Sequence, residues 1–153
     1  MFDRIRMLFG GAPCLVQAAA LPWRMGEKGV EILLVTSRDT GRWVLPKGWP
    51  EGDEELWQAA AREADEEAGV SGSIAENALG KFFYGKEAAG GMQFRCEVHV
   101  YPMQVENIAD KWPERRRRTR TWHTPDQAAA LVHEPDLAEL IGQFSTNPRQ
   151  KAA

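Results

Sequence analysis

Residues 48–70 read GWPEGDEELWQAAAREADEEAGV, and the rest of the chain takes its meaning from this stretch. With U for a bulky apolar residue, it follows the spacing G-x5-E-x7-R-E-U-x-E-E-x-G-U. The fixed letters fall on Gly48, Glu54, Arg62, Glu63, Glu66, Glu67 and Gly69, and Val70 closes it. Seven fixed letters, each at a background usage of about 7%, match by chance on the order of once in a hundred million starting positions. Asp53 is a natural N-cap, Glu54 and Glu55 suit the positive end of a helix dipole, and Gly69 supplies a left-handed stop. The spacing therefore predicts a helix over residues 54–68. On a helical wheel Leu56, Ala59 and Ala60 form an apolar stripe facing the protein body, and the next turn brings Glu63, Glu66 and Glu67 onto or beside that stripe.

Most acidic clusters are solvated faces, where a like-charged pair such as Glu63 and Glu67 costs only about 0.2–0.5 kcal/mol. Turned inward, two carboxylates about 4 Å apart repel by roughly 4 kcal/mol at an effective dielectric near 20. Arg62 is a single cation among these acids, so a bound divalent ion is the economical counter-charge. An all-oxygen donor set favours Mg²⁺ or Mn²⁺.

The pattern resembles the Nudix box, the signature of Mg²⁺-dependent hydrolases of substrates built on a diphosphate linkage. By that resemblance Glu66 and Glu67 are metal ligands, Glu63 is a further ligand or the general base, and the Gly48 region offers a backbone oxygen. Arg62 orients the carboxylates and Glu54 supports the network. These five side chains make the candidate catalytic set. Glu97 and Glu114 are candidate acids from outside the box. Ala64 departs from the family's usual aliphatic residue, a difference expected to touch packing more than chemistry.

Two further segments, RWVLPKGWPEGDE (42–54) and RTRTWHTPDQAAALV (118–132), are similar to the branch that cleaves diphosphoinositol polyphosphates and dinucleoside polyphosphates. The resemblance implies a substrate pocket lined by Arg38, Arg42, Lys47, Arg95, Arg116 and Arg118. Such cations suit several phosphates. If residues 115–120 are extended, alternation turns inward either Arg116, Arg118 and Arg120 or Arg115 and Arg117. The chain departs from the animal enzymes at Glu134, where they carry a basic residue, and in the loop Pro46, Lys47, Gly48, Trp49, where they have a Gly-rich sequence; Trp49 reads either as a loop or core packing residue or as a face on which a nucleobase could stack. His99, His123 and His133 lack metal-ligand spacing and read as structural or surface residues.

Outside the box, 153 residues with 43% hydrophobic and 27% charged content describe one globular domain. The net charge of −3 argues against general nucleic-acid or anionic-membrane binding. Cys14 and Cys96 sit in apolar runs and read as buried reduced thiols, with a disulfide left open. No run reaches the roughly 18 apolar residues of a membrane span, and Gly10, Gly11 and Pro13 break the apolar patch after Arg4 and Arg6 before a signal-peptide core forms. A cytoplasmic location is expected.

Strands are expected over residues 14–21, 30–36, 42–45, 80–84 and 92–103, the last alternating Phe94, Cys96, Val98 and Val100 against Arg95, Glu97, His99 and Tyr101. Turns are expected at 26–29, 39–41 and 71–73, and a Gly-rich hairpin at 88–91. Thr124 with Gln127 forms a capping box with Pro125 at the first helical position, giving a helix over 125–132 and another over 135–143. The boundaries are an N-terminal arm (1–13), one domain (14–144) and a polar tail (145–153). The fold class is α/β, a mixed β-sheet sandwiched between α-helices, which the resemblance identifies as the Nudix fold.

The leading functional expectation is a Mg²⁺- or Mn²⁺-dependent hydrolase of a polyphosphorylated small molecule, diphosphoinositol polyphosphate or diadenosine polyphosphate, working as a monomer or homodimer. The alternatives are a non-catalytic Nudix-fold nucleotide-binding or sensing module, and a pyrophosphohydrolase of RNA 5′ ends.

Overall fold

The computed structural model describes residues 5–6, 14–87 and 89–146. Most of the expected N-terminal arm, residue 88 of the expected hairpin and residues 147–153 of the expected tail lie outside the described residues. One sheet organises the rest. Its strands are β1 (Ile5–Arg6), β2 (Cys14–Gly26), β3 (Gly29–Thr36), β4 (Trp43–Val44), β5 (Lys47–Gly48), β6 (Val70–Ile74), β7 (Gly80–Glu87), β8 (Gln93–Ile108) and β9 (Arg120–His123). The helices are α1 (Leu56–Glu63), α2 (Pro125–Leu131) and α3 (Pro135–Thr146).

The spine is β2 against β8, parallel from Cys14 opposite Arg95 to Trp23 opposite Gln104. Elsewhere the pairings are antiparallel: β3 and β5 on β2, β4 and β9 on β3, β6 and β7 on β8. The sheet is therefore mixed, as expected. Residues alternate between two apolar layers, as the strand period requires. Ala19, Leu21, Trp23, Ile32, Leu34, Cys96, Val98 and Val100 pack with Ala128, Leu137, Ile141 and Phe144 of α2 and α3. Ala18, Ala20, Leu33, Val35, Tyr101 and Met103 pack on the opposite face with Ala59, Ala60, Ala64 and Ala68.

Alanine meets alanine across that second layer, so the box helix lies close against β2. Ala64 is fully buried there, and a larger residue would have to displace its neighbours.

Several boundaries differ from the sequence reading. β2 runs on through Pro22 to Gly26 because β8 pairs it as far as Trp23 and β3 from Trp23 to Gly26, and β8 continues to Ile108 because β6 pairs its end. Residues 71–73, expected as a turn, lie inside β6, held by Gln104 to Asn107 of β8. The helix begins at Leu56 rather than 54. Its N-cap is Glu55, whose N–H donates to Gln58 Oε1 at 2.8 Å, while the Glu54 side chain is drawn away by Arg62. The capping box of Thr124 and Gln127 is present in both directions. α3 extends to Thr146, three residues past the expected end. Cys96 is buried, and the Cys14 side chain lies outside the described residues.

Candidate active site

The box helix does not end as a simple α-helix. After Glu63 it widens into a single π-helical turn, Ala64–Ala68, before Gly69 stops it at φ 66° and ψ 33°. Such turns recur at functional sites because they rotate side chains out of the regular 3.6-residue series. Here the turn carries Glu66 and Glu67, and Glu63 immediately precedes it.

Four consecutive carbonyls at this end find partners in residues 109–120. The Glu66 carbonyl accepts from the Glu114 N–H at 3.1 Å, and that of Glu67 from Trp112 Nε1 at 3.1 Å. The Ala68 carbonyl accepts from Arg120 Nη1 at 2.9 Å, and that of Gly69 from the Ala109 N–H at 2.8 Å. The Arg120 guanidinium lies 3.8 Å from the Trp112 ring centroid. A helix terminus that would leave these oxygens orphaned is thus closed by a loop far away in sequence.

The acids are arranged around two guanidinium groups. Arg62 grips Glu54 with two bonds, Nε to Oε2 at 2.8 Å and Nη2 to Oε1 at 3.0 Å. It also donates to the Trp49 carbonyl at 2.9 Å and reaches Glu63 Oε2 and Glu66 Oε2, each at 3.3 Å. This holds the Glu54 carboxyl below its ordinary range, chiefly through the Arg62 hydrogen bonds, and raises the Arg62 pKa. Arg118 serves the other side, with Nε to Glu114 Oε1 at 2.8 Å, Nη1 to the Thr36 carbonyl at 3.0 Å and Nη2 to Glu67 Oε2 at 3.4 Å.

Glu63 and Glu67 are both buried, and burial pushes both carboxyls up, Glu67 to about 8, against the pull of Arg62 and Arg118 respectively. The Lys47 N–H donates to Glu67 Oε1 at 3.3 Å. Its pairing across β2, Ala19 opposite Lys47 and Ala18 opposite Gly48, pins the loop over the acids.

A cleft of about 650 Å³ opens here, lined by Gly48, Glu63, Glu66, Glu67 and Arg62 from the box and by Arg38, Arg42, Lys47 and Arg118 from outside it. Glu54 stands behind Arg62, not among the lining residues. Two expected substrate contacts are not brought to the cleft. Arg95 is exposed on β8 with its guanidinium 4.3 Å from the Phe83 ring centroid. Arg116 is exposed in a turn, because residues 113–117 do not form the extended strand that the alternation assumed. Of the candidate outside acids, Glu114 lines the cleft, whereas Glu97 does not and is held by His99 Nε2 at 2.8 Å and Lys81 Nζ at 3.8 Å.

Sequence reasoning missed several lining residues. Gln17 and Tyr84 sit on strands flanking β8, and the Tyr84 hydroxyl donates to Gln17 Oε1 at 2.7 Å. Burial raises the Tyr84 pKa further. His133, read as structural or surface, lines the cleft beside Glu134. Lys86 lies 5.6 Å from the Trp49 ring centroid at the same mouth. Only the sheet order could have joined Gln17 to Tyr84; a common alternation phase was the one signal available.

With this geometry in hand, the comparisons are specific. A family model described as NUDIX domain matches residues 15–144. The chain is 38% identical to Nudix hydrolase 12, mitochondrial, of Arabidopsis thaliana, over 75% of this chain and 58% of that protein, so it spans less than two thirds of that relative's length. It is 34% identical to diphosphoinositol polyphosphate phosphohydrolase 3-beta of Bos taurus, over 82% of this chain and 74% of that one. Its fold is similar to that of a C. elegans Ap4A hydrolase in a binary complex, with TM-score 0.66, 21% identity, and coverage of 88% of this chain and 98% of that one.

Proposed function

The chain belongs to the Nudix family, and from that premise we propose that it is a Mg²⁺- or Mn²⁺-dependent hydrolase that cleaves a phosphoanhydride bond in a polyphosphorylated small molecule, a diphosphoinositol polyphosphate or a diadenosine polyphosphate. The observation that carries the proposal is the packing of Glu63 and Glu67, two buried carboxylates, beside Glu66 at the wall of a cleft that also presents Arg38, Arg42 and Lys47. An acidic floor with cationic walls suits a substrate whose phosphates reach the protein through both metal and guanidinium.

The residues fit a hard divalent ion. Among the described residues no three acidic, imidazole or thiol side chains converge closely enough to hold one as they stand. The donors on offer at the π-turn are all carboxylate and carbonyl oxygens, the set that Mg²⁺ and Mn²⁺ prefer. The missing side chain of Gly48 also leaves room for the Glu63 carboxylate, a cradle that any Cβ would fill. Glu63, Glu66 and Glu67 would hold the ion with the Gly48 carbonyl. When bound, the ion neutralises phosphate charge and lowers the pKa of coordinated water.

The chain's own groups have separable tasks. Arg62 fixes the direction of Glu63 and Glu66 while being fixed itself by Glu54. Arg118 holds Glu67 and Glu114 in register from the wall of the cleft. Lys47, Arg38 and Arg42 bind phosphate oxygens, and burial, which raises the Glu63 and Glu67 carboxyls in the metal-free site, favours a counter-cation beside them. No described helix is long and apolar enough to cross a membrane, and a cytoplasmic location goes with this reading.

The test is product release from diphosphoinositol pentakisphosphate, diadenosine polyphosphates, ADP-ribose and nucleoside triphosphates with Mg²⁺ or Mn²⁺, against an EDTA control. Metal-dependent turnover of either of the first two supports the proposal, and tight binding without turnover of any compound points instead to a sensing module.

A further inference from the structure

The cations of the cleft divide into two groups. Arg62 and Arg118 are spent on the protein's own acids, as above. Lys47 is not: its ammonium lies 5.2 Å from the Tyr84 ring centroid and has no carboxylate within salt-bridge distance among the described residues. Burial lowers its pKa, against the opposing pull of Glu67 and Glu134. Lys86 stands beyond it over Trp49, and Trp49 is 38% exposed.

Facing them, in the short loop between α2 and α3, is Glu134. It lines the cleft together with Lys47 and Tyr84, and its side chain takes no hydrogen bond or ion pair from another described residue. An ionised carboxylate accepts hydrogen bonds and donates none. Standing at the cleft wall with no protein donor among the described residues, it favours a ligand that brings O–H or N–H donors to that position and disfavours one that brings negative charge there.

We infer that Glu134 sets the substrate class of this cleft, accepting hydrogen bonds from the ribose hydroxyls of a linear nucleoside polyphosphate and excluding an inositol ring esterified with phosphate at every position. The inference rests on the hydrolase reading and narrows it. Each phosphate monoester carries about −1.5 to −2 charge at pH 7. A fully phosphorylated ring presents such groups in every direction, so a ring held with its diphosphate at Glu63, Glu66 and Glu67 carries further phosphates into the cleft that Glu134 also lines. A linear substrate separates the two ends. Its polyphosphate runs along Lys47 toward the acids of the box, its sugar is uncharged where it meets Glu134, and its base has the face of Trp49 on which to stack. Similarity to the bovine diphosphoinositol enzyme is compatible with a shared diphosphate site and does not reach this choice, which lies outside the box.

The experiment compares kcat/KM for diadenosine tetraphosphate and diphosphoinositol pentakisphosphate in the wild type, Glu134→Gln and Glu134→Lys, alongside calorimetric affinities for both compounds, which need no turnover. Glu134 is partly exposed in a loop, and thermal melting checks that both variants fold. The wild type is expected to favour the dinucleotide by at least about tenfold. Glu134→Gln should weaken it mainly through KM, and Glu134→Lys should move the ratio at least about a hundredfold toward the inositol compound, the size expected when one charge in a recognition site changes sign. A wild-type preference for the inositol compound, a ratio unchanged within twofold in both variants, or failure of the wild type to bind either compound overturns the inference. If the wild type binds the dinucleotide in a Glu134-dependent way but turns over nothing, the inference stands and the hydrolase reading fails.

Discussion

The Glu63 carboxylate occupies the space that a side chain on Gly48 would take. Gly48 has an ordinary backbone conformation, so glycine is required here by the close approach of the acid and not by a left-handed turn. β5 is tied to β2 through Ala18 and Ala19, so the strand stays in place and the Glu63 carboxylate, the far end of a flexible side chain, is the group that must swing aside. Gly48→Ala is therefore expected to destabilise the protein by only about 0.5–1.5 kcal/mol, the cost of a side chain driven from its rotamer. It should also weaken Mn²⁺ binding by roughly tenfold or more through displacement of Glu63. Chemical denaturation and metal titration read the two effects separately.

The box was legible because its spacing is local. The acids, the apolar stripe and the Gly69 stop all lie within one helix, where sequence distance is spatial distance. The same logic failed for Arg116 and Arg95. Placing the arginine run required knowing whether residues 113–117 were extended, and they turn; placing Arg95 required knowing that β8 supplies none of the lining residues. Glu134 was noticed as a departure from a family pattern, but its position beside Lys47 and Tyr84 depends on how the α2–α3 loop meets the sheet edge. The π-turn left no local sign, because the carbonyls that stabilise it are satisfied by Trp112, Glu114 and Arg120 from a distant segment.

Arg118 serves three acceptors with three nitrogens, a geometry that a lysine ammonium cannot reproduce. Arg118→Ala leaves the buried Glu67 without its cation and should reduce turnover by at least about a hundredfold. Arg118→Lys restores charge without the fork and should recover less than about a tenth of the loss in metal affinity. Steady-state kinetics with a Mn²⁺ titration of each variant decide between positioning and mere charge, since full recovery by lysine would reduce the role to charge alone.

The raised carboxyls at Glu63 and Glu67 make metal-free stability depend on pH in a stated direction. A carboxyl whose folded pKa lies above its unfolded value holds its proton more tightly in the native state. Its contribution is complete below the unfolded value of 4.5 and is lost as pH rises toward about 8 at Glu67. Glu54, whose pKa is lowered, acts oppositely, and its contribution is lost only as pH falls below the ordinary carboxylate range. Chelator-treated protein should therefore lose melting temperature between about pH 5 and pH 8. Millimolar Mg²⁺ should restore it by an amount that grows with pH, because the ion competes with protons for the same oxygens. Calorimetric melting across that range with and without Mg²⁺ is the measurement, and a stabilisation by Mg²⁺ that shrinks with rising pH would contradict the assignment of these acids as ligands.

The clamp on the π-turn makes a prediction that separates positioning from stability. Trp112 Nε1 donates to the carbonyl of Glu67, the residue whose side chain faces Arg118, and the Trp112 ring stacks under Arg120. Trp112→Phe keeps an aromatic face for the Arg120 guanidinium and deletes only the indole N–H. The lost hydrogen bond should cost about 1 kcal/mol of stability. If the bond serves only to hold the fold together, turnover at a temperature well below melting should be unchanged. The freed carbonyl instead allows the Glu66 and Glu67 turn to relax toward a regular helix, rotating both carboxylates away from the cleft. The expected result is a fall in kcat of about ten- to a hundredfold with KM for the substrate within about threefold of wild type, together with a weaker Mn²⁺ affinity. A loss confined to melting temperature would make residues 109–120 a structural brace and leave the geometry of the acids to Arg62 and Arg118 alone.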